Sequence, residues 1–193
     1  EILKQDKNNI DAALLHLIAA NEKISEQRFR TRILDFGVEA PAMVLNEYRP
    51  NVLVGANGDD QYLQRLANYG DTTSHVAQSR TLKYFGLDSK MYFDCDFSTM
   101  ADWLAQGERA PGGMLIRGSL AHPAGGGHYV LPFQLTTTAV RVHDPFGEQD
   151  LVNGGFVPEE PGENVVYSRK NFGTRWMVGG GRTGWALLIR RPK

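Results

Sequence analysis

Apolar residues recur with helical spacing at the start of the chain. Ile10, Leu14, Leu17 and Ile18 fall on one face of a predicted helix over residues 1–24. A single apolar stripe on a helix has to be covered by other protein. We therefore expect this helix to be either the first helix of the core or an arm that contacts a neighbouring domain or subunit.

Three further helical patterns follow in the first half, together with one short strand. The helices are predicted at residues 37–48, 59–70 and 71–86, and the strand at residues 90–93. Ser98 follows the strand and is expected to cap a fourth helix, because a serine hydroxyl accepts a hydrogen bond from a free amide of the first turn. The first half of the chain is therefore predicted to be largely helical.

The second half has the alternating or continuous apolar runs of β-strands, with turns between them. Residues 150–165 are rich in Gly, Pro, Asn and Glu, which predicts a long surface loop. Helices come first and antiparallel strands later, with no linker long enough to separate them, so the pattern predicts an α+β fold. The predicted strands are residues 114–118, 128–135, 139–145 and 185–191, with a short helix or turn at residues 169–177.

The composition is that of one folded domain with a small appendage. The chain has 193 residues, of which 41% are hydrophobic and 22% charged, and this excludes a disordered or coiled-coil protein. Its 21 Lys and Arg residues nearly balance 22 Asp and Glu residues. The sequence therefore lacks the basic excess typical of nucleic-acid binding, and we expect no nucleic-acid partner.

Cysteine content and hydropathy restrict the class further. The chain has 1 Cys, which excludes an internal disulfide and a zinc site built on clustered cysteines. No apolar run approaches the ~20 residues of a membrane span, and no signal peptide is visible near the start. Since the first residue is Glu rather than Met, we expect the sequence to be a piece of a longer polypeptide.

One His and one Asp stand where two predicted strands meet. His128 follows three glycines at residues 125–127 and begins a strand, and the next strand ends in His143-Asp144-Pro145. A short hairpin between these strands would place the side chains of His128 and Asp144 together near one edge. A carboxylate that orients an imidazole is the supporting part of a nucleophilic triad. The alternative is a structural His beside a turn-forming Asp-Pro pair.

Longer stretches around these residues resemble a known family. GGGHYVL, VHDPFGEQDLVNGGF, YSRKNFGTRWM and GTGWALL, in this order, are similar to motifs of papain-like peptidases related to bacteriocin-leader-processing enzymes. Within that family, the sequence resembles most the phage-encoded group found in endolysins and tail-associated lysins. The segments PNVLVGANGDDQYLQRLANYGDTTSHVAQSRTLKYFG and PGGMLIRGSLAHP extend the resemblance to roughly residues 25–190.

The resemblance implies a papain-like fold, in which an N-terminal helical half packs on a C-terminal antiparallel sheet. The family carries a nucleophilic Cys at a helix start, and His and Asp on the sheet. By this resemblance His128 matches the general base, Asp144 the residue that orients it, and Gln27 a residue that helps form the oxyanion hole. Residues 1–24 would be a helical arm, and residues 25–193 the peptidase-type domain.

The nucleophile of the family is missing from this sequence. Its position falls on Phe36, and a phenyl ring has no nucleophilic atom. The small hydroxyl residues that usually follow the Cys are replaced by Glu39 and Ala40. The only thiol belongs to Cys95, which stands between two aspartates. Their carboxylates would raise the pKa of the thiol, the opposite of what a thiolate nucleophile needs.

Carboxylates offer a different chemistry near the lost nucleophile. Asp35 and Glu39 flank Phe36, and they would allow a carboxylate to activate water or, as a pair, to cleave a glycan. The alternative is that both are ordinary surface carboxylates near a helix N-terminus, where negative charge is favoured. The sequence leaves both readings open.

A metal site is another possible role for the histidines near the predicted hairpin. Their spacing matches no standard zinc pattern, and the Gly-rich turns lack the Lys-Ser or Lys-Thr that ends a phosphate-binding loop. We therefore expect neither a metal nor a cofactor. The ligands of such a metal would be His122, His128, His143 and Asp144.

Together, the resemblance and the missing nucleophile imply a pseudoenzyme. We expect a binding or structural module of a phage particle or lysin, with a cleft for peptidoglycan or a peptide. Residues 1–24 would contact other phage structural subunits, and the protein would be virion-associated or act in the host cytoplasm or cell envelope. We also expect His128 and Asp144 to lie within hydrogen-bond reach, with Phe36 facing them across a cleft.

Two alternatives to the pseudoenzyme involve an active enzyme, either this protein itself or the natural protein from which it derives. One is a working cell-wall hydrolase of the same fold, either a peptidoglycan endopeptidase or an enzyme with a carboxylate mechanism. The other is a cysteine peptidase whose nucleophile was removed by mutation. The loss of the neighbouring hydroxyl residues together with the Cys argues against a single engineered change, because drift after loss of function would remove all of them.

Overall fold

The structure is a computed structural model that describes residues 39–53, 58–72, 74–116, 126–157 and 162–193. These residues form five helices and an antiparallel sheet, so the α+β fold predicted from the sequence is confirmed. The helix predicted over residues 1–24 lies outside the described residues. No helix among the described ranges is long and apolar enough to cross a membrane.

Three helices precede the first strand, and the remaining elements mix strands with two shorter helices. In chain order they are α1 (Glu39–Tyr48), α2 (Gly58–Ala67), α3 (His75–Tyr84), β1 (Ser89–Cys95), α4 (Phe97–Ala105), β2 (Gly112–Ile116), β3 (Gly126–Leu135), β4 (Ala139–His143), β5 (Val165–Ser168), α5 (Arg169–Trp176) and β6 (Gly184–Ile189).

The N-terminal cap of α4 differs from the prediction. The cap is Asp96, whose Oδ1 accepts a hydrogen bond from the backbone amide of Thr99 at 2.9 Å. Ser98, predicted as the cap, instead donates its hydroxyl to the same carboxylate at 2.6 Å. These two donors, first the Ser98 hydroxyl and then the Thr99 amide, lower the pKa of Asp96 to about 2. A carboxylate two residues earlier reaches the amides of the first turn better, and its charge is favoured there.

Every strand pairing in the sheet is antiparallel, and the strand order is β1-β6-β2-β3-β4-β5. β3 pairs with β2 through its first half and with β4 through its second half. The register shifts by one residue between Pro132 and Gln134. β3 therefore joins two pairing regions, β1-β6-β2-β3 and β3-β4-β5.

β5 was not predicted from the sequence. It has only four residues, and its first residue, Val165, lies within the stretch 150–165 that the sequence predicts as a loop. Its side chains alternate, since Val165 and Tyr167 are buried whereas Val166 and Ser168 are exposed. The pairing with β4 and this burial, rather than the length of the pattern, make the segment a strand.

Alternation along the strands sends neighbouring residues into two separate cores. Tyr129 and Leu131 of β3 join the core under α1, α2 and α3, whereas Val130 joins the core under α4 and α5. We call these two sides of the sheet the α1 face and the α5 face. The described residues therefore place helices on both sides of the sheet.

The α5 face is anchored by large aromatic side chains. Trp176 and Phe172 are almost completely buried, and each contributes about 1.5–3 kcal/mol by leaving water. The indole Nε1 of Trp176 donates to the backbone oxygen of Trp185 at 2.9 Å. Gly184 allows this approach, because a Cβ there would lie 2.6 Å from the Trp176 ring. The sheet next to the site is therefore rigidly packed.

Candidate functional site

His128 and Asp144 come together because β3 and β4 pair in one fixed register. Leu131 lies opposite His143, so Val130 lies opposite Asp144, and His128 is one side-chain repeat further along the same face. Nε2 of His128 lies 2.7 Å from Oδ1 of Asp144. The two side chains are therefore within hydrogen-bond reach, as the sequence predicts.

Asp144 is held by four donors that satisfy both of its oxygens. Besides His128, Oδ1 accepts from the backbone amide of Phe146 at 3.1 Å. Oδ2 accepts from Nε2 of Gln149 at 2.8 Å and from the hydroxyl of Tyr167 at 3.0 Å. A buried carboxylate without such partners would be strongly unfavourable. The network thus fixes the position of the Asp144 side chain and joins β3, β4, β5 and the loop after β4.

Tyr167 is positioned to keep its proton and donate it. The backbone amide of Gln149 donates to the Tyr167 oxygen at 2.8 Å, so the hydroxyl proton points to Asp144. Burial, and after it the negative charge of Asp144, raise the pKa of Tyr167 far above its usual range. The hydroxyl is therefore a neutral donor throughout the ordinary pH range.

The hydrogen bond to Asp144 assigns the proton on the neutral His128 ring. Because the carboxylate accepts from Nε2, that nitrogen carries the proton, and Nδ1 is the nitrogen that a reacting group would meet. This is the arrangement of a general base that is oriented by a carboxylate. However, the side chains of His128 and Asp144 are both 0% exposed, and the ring of Phe146 meets the imidazole edge-on at 5.3 Å.

The helix that should carry the nucleophile packs on the other side of the sheet. The buried residues Ala40, Val44 and Leu45 of α1 belong to the α1-face core, together with Tyr129. His128 precedes Tyr129 and lies on the α5 face. Glu39 begins α1, whereas Phe36, Gln27 and Asp35 lie outside the described residues. The expectation that Phe36 faces His128 stays a prediction, as do the catalytic and oxyanion roles.

The single thiol lies far from the imidazole. Cys95 on β1 pairs with Gly184 on β6, and the pairing of β6 with β2 continues this row to Met114, the partner of His128. Three strand spacings of about 4.8 Å separate the two residues, roughly 14 Å in all. Burial, and after it the charge of Asp94, raise the pKa of Cys95 to about 11. The thiol is thus protonated and out of reach.

The two described histidines of the predicted metal set lie on opposite sides of the sheet. His143 lies on the α1 face, where it stacks on Phe133, whereas His128 lies on the α5 face. His122 is outside the described residues. Within the described ranges, no group of three or more His, Cys, Asp or Glu side chains could hold a metal ion.

Two residues of the network, Gln149 and Tyr167, were not predicted from the sequence. Gln149 follows Asp144 by five positions, in the irregular stretch after β4, where it forms a single bridge with Phe156. Tyr167 is placed by β5, through its pairing with Val140. The only local signal for Gln149 was that it is a polar residue close to the Asp-Pro turn. Tyr167 gave no local signal, because its position depends on the pairing of β5 with β4.

Comparisons with known proteins do not extend these observations. No protein-family model matches the sequence, and no curated protein is significantly similar to it. The sequence motifs and the geometry of His128 and Asp144 are therefore the basis for a functional proposal.

Proposed function

We propose that this chain is a papain-like peptidase domain without a nucleophile, which serves as a binding or structural module of a phage particle or lysin. The observation that carries the proposal is the His128–Asp144 pair at 2.7 Å, the supporting part of a triad, with no thiol of this chain beside it. The resemblance supplies the phage context and the class of ligand, which is peptidoglycan or a peptide.

The burial of the pair supports a role other than catalysis. A general base has to reach the proton that it removes to within about 2.6–3.2 Å. The His128 side chain is 0% exposed, and Asp144 is held by Gln149 and Tyr167 on its other oxygen. These contacts make the pair an internal cross-link of the sheet.

A carboxylate mechanism, the alternative for an active hydrolase, gains no support from the described residues. It needs Glu39 or Asp35 close to His128, so that a water molecule can be held between them. Glu39 begins a helix whose buried residues pack on the α1 face, the side opposite to His128. We therefore keep the binding module as the proposed function.

The test measures turnover and binding with the same purified protein. We expect no release of soluble fragments from peptidoglycan, because loss of the nucleophile lowers the rate by several orders of magnitude. Binding to peptidoglycan or to wall-derived peptides should be detectable in a sedimentation or fluorescence assay. Alkylation with iodoacetamide should leave it unchanged, and Cys95→Ala should behave like the parent protein.

Three outcomes would contradict the proposal in different ways. Turnover that iodoacetamide abolishes would show an active thiol. Turnover that survives iodoacetamide but is lost in Glu39→Gln, and not in the exposed control Glu163→Gln, would establish the carboxylate hydrolase. A folded protein that neither turns over nor binds any wall polymer or peptide would exclude the binding module.

A further inference from the structure

A second group of polar and aromatic side chains lies on the α1 face. α1 contacts β3 and α3 contacts β1, whereas β4 and β5 present half-buried or exposed side chains on this face. Phe133 and His143 stack there, with ring centroids 4.5 Å apart. Arg141 donates to Gln134 beside them, and Val166, opposite Arg141, is 51% exposed. We call these five residues the open platform.

Hydrogen bonds within the open platform use its acceptors and leave donors. Nδ1 of His143 accepts from the backbone amide of Asn164 at 3.3 Å, so the proton of the neutral ring lies on Nε2. Oε1 of Gln134 accepts from Nη1 of Arg141 at 3.4 Å. The remaining groups are the Nε2–H of His143, the amide NH₂ of Gln134 and most of the Arg141 guanidinium. All of them donate, so the surface suits a ligand rich in acceptors.

The charge of Arg141 has the same implication. Its partner Gln134 is neutral, and no carboxylate among the described residues lies within ion-pair distance of it. Arg109 pairs with Glu47 at 2.7 Å and Arg182 with Asp96 at 3.4 Å, whereas Arg141, like the exposed Arg80 of α3, has no such partner among the described residues. An arginine beside an aromatic stack, with its charge uncompensated, favours an anionic ligand.

We propose that the open platform binds a peptide through a free carboxylate. The guanidinium fork of Arg141 donates two N–H groups to the carboxylate oxygens, and the ring of Phe133 packs against the apolar part of the adjoining residue. This inference rests on the proposed function, because it names the binding surface and ligand chemistry of that module. It assigns binding to the face opposite to His128.

The test uses small probes and nuclear magnetic resonance of the ¹⁵N-labelled protein. Acetyl-alanyl-alanine with a free carboxylate should shift the amide signals of Arg141, His143 and Val166 in a saturable way. Its C-terminal amide and inorganic phosphate should shift them little at equal concentration. Arg141→Ala and Phe133→Ala should each weaken binding by roughly tenfold, since each removes a main contact.

Matched controls separate this site from general effects. Arg80→Ala removes an exposed arginine from α3, and Phe93→Ala removes a ring that is 62% exposed on β1; both should bind like the parent protein. Equal shifts with the amide or with phosphate would overturn the carboxylate assignment. Shifts that map elsewhere, or that persist in Arg141→Ala, would overturn the open platform as the site.

The outcome is separable from that of the proposed function. If the protein binds peptidoglycan equally well with and without Arg141→Ala, the open platform is wrong and the binding module stands. If the probe peptide binds at the open platform but no wall polymer or wall-derived peptide binds to the protein, the reverse holds.

Discussion

The two faces of the β3–β4 pair carry adjacent residues with opposite fates. On the α5 face, the Asp144 carboxylate has four donors, and the side chains of Asp144 and His128 are 0% exposed. On the α1 face, His143, the residue before Asp144, is half-buried and shares its face with the half-buried Arg141 and the exposed Gln134. A polar group whose partners are all internal stabilises the fold, whereas one with unused donors on the surface can recognise a ligand. His128 and Asp144, the pair that resembles a catalytic site, therefore lie in the interior with their hydrogen bonds made to other residues of the protein.

The largest loss of stability should come from removing Asp144, the shared acceptor of the buried hydrogen-bond network. Asp144→Ala leaves His128, Gln149 and Tyr167 without their shared acceptor in the interior. We expect the free energy of unfolding to fall by about 3–5 kcal/mol, as is typical when one partner of a buried ion pair or network is removed. Chemical denaturation followed by circular dichroism measures the change. A loss below about 1 kcal/mol would show that the network is not a structural cross-link.

A milder change in the same network should have a smaller effect. Tyr167→Phe keeps the ring and removes one donor to Asp144 and the acceptor of the Gln149 amide. We expect the free energy of unfolding to fall by about 1–3 kcal/mol, because a buried amide is left without its partner. Thermal and denaturant unfolding of the two proteins, side by side, check this. Equal stability would mean that water replaces the hydroxyl.

Tyrosines that are buried or half-buried predict how stability depends on alkaline pH. Burial is the main cause that raises the pKa of Tyr48 and of Tyr129 to about 12, and the pKa of Tyr167 is raised as well. In the unfolded chain these groups lose their protons near the usual value of 10.0, while the folded chain keeps them. Stability is therefore fully present below about pH 10 and is lost as the pH rises towards 12.

Tyr167→Phe sharpens this pH prediction. Above pH 10, each retained tyrosine proton makes the free energy of unfolding fall by about 1.4 kcal/mol per pH unit. The free energy of unfolding of the variant should therefore decline less steeply with pH, because the contribution of one tyrosine proton is missing. Val140→Ala, which destabilises the same core without removing a tyrosine, is the control and should keep the parent slope. Identical slopes in all three proteins would contradict the burial argument.

The smallest effect on stability is expected from a substitution in the open platform. Arg141→Ala removes a surface side chain whose hydrogen bond to Gln134 is long, at 3.4 Å. We expect the free energy of unfolding to change by less than about 0.5 kcal/mol. Denaturant titration of the parent and the variant gives the difference. A change as large as that of Tyr167→Phe would mean that the two faces do not differ in the way described.

The parts that the sequence predicts are those decided by nearby residues. His128 and Asp144 are 16 positions apart in one hairpin, so the strand pattern alone brings them together. Tyr167 joins them from a four-residue strand 23 positions beyond Asp144, and a pattern that short is not distinctive. The predicted N-terminal cap of α4, Ser98, was wrong because Asp96 and Ser98 are both residue types that cap helices well. Only the geometry of the backbone decides between them.

The open platform could not be predicted, because it depends on which part of the sheet the helices cover. The alternation of polar and apolar residues places Arg141 and His143 on the face opposite to Val140 and Val142, but it does not say that this face stays accessible. That follows only from the positions of α1 and α3 over β3 and β1. The roles of Phe36 and Gln27 stay predictions from the resemblance.

The most direct test compares ligand affinity after a change on each face. His128→Gln and Arg141→Ala are measured with the same carboxylate peptide, at a temperature where unfolding curves show both proteins to be folded. We predict that His128→Gln binds like the parent protein and is less stable, whereas Arg141→Ala is as stable as the parent and binds roughly tenfold more weakly. Lost affinity in a folded His128→Gln protein, together with normal affinity in Arg141→Ala, would contradict the account.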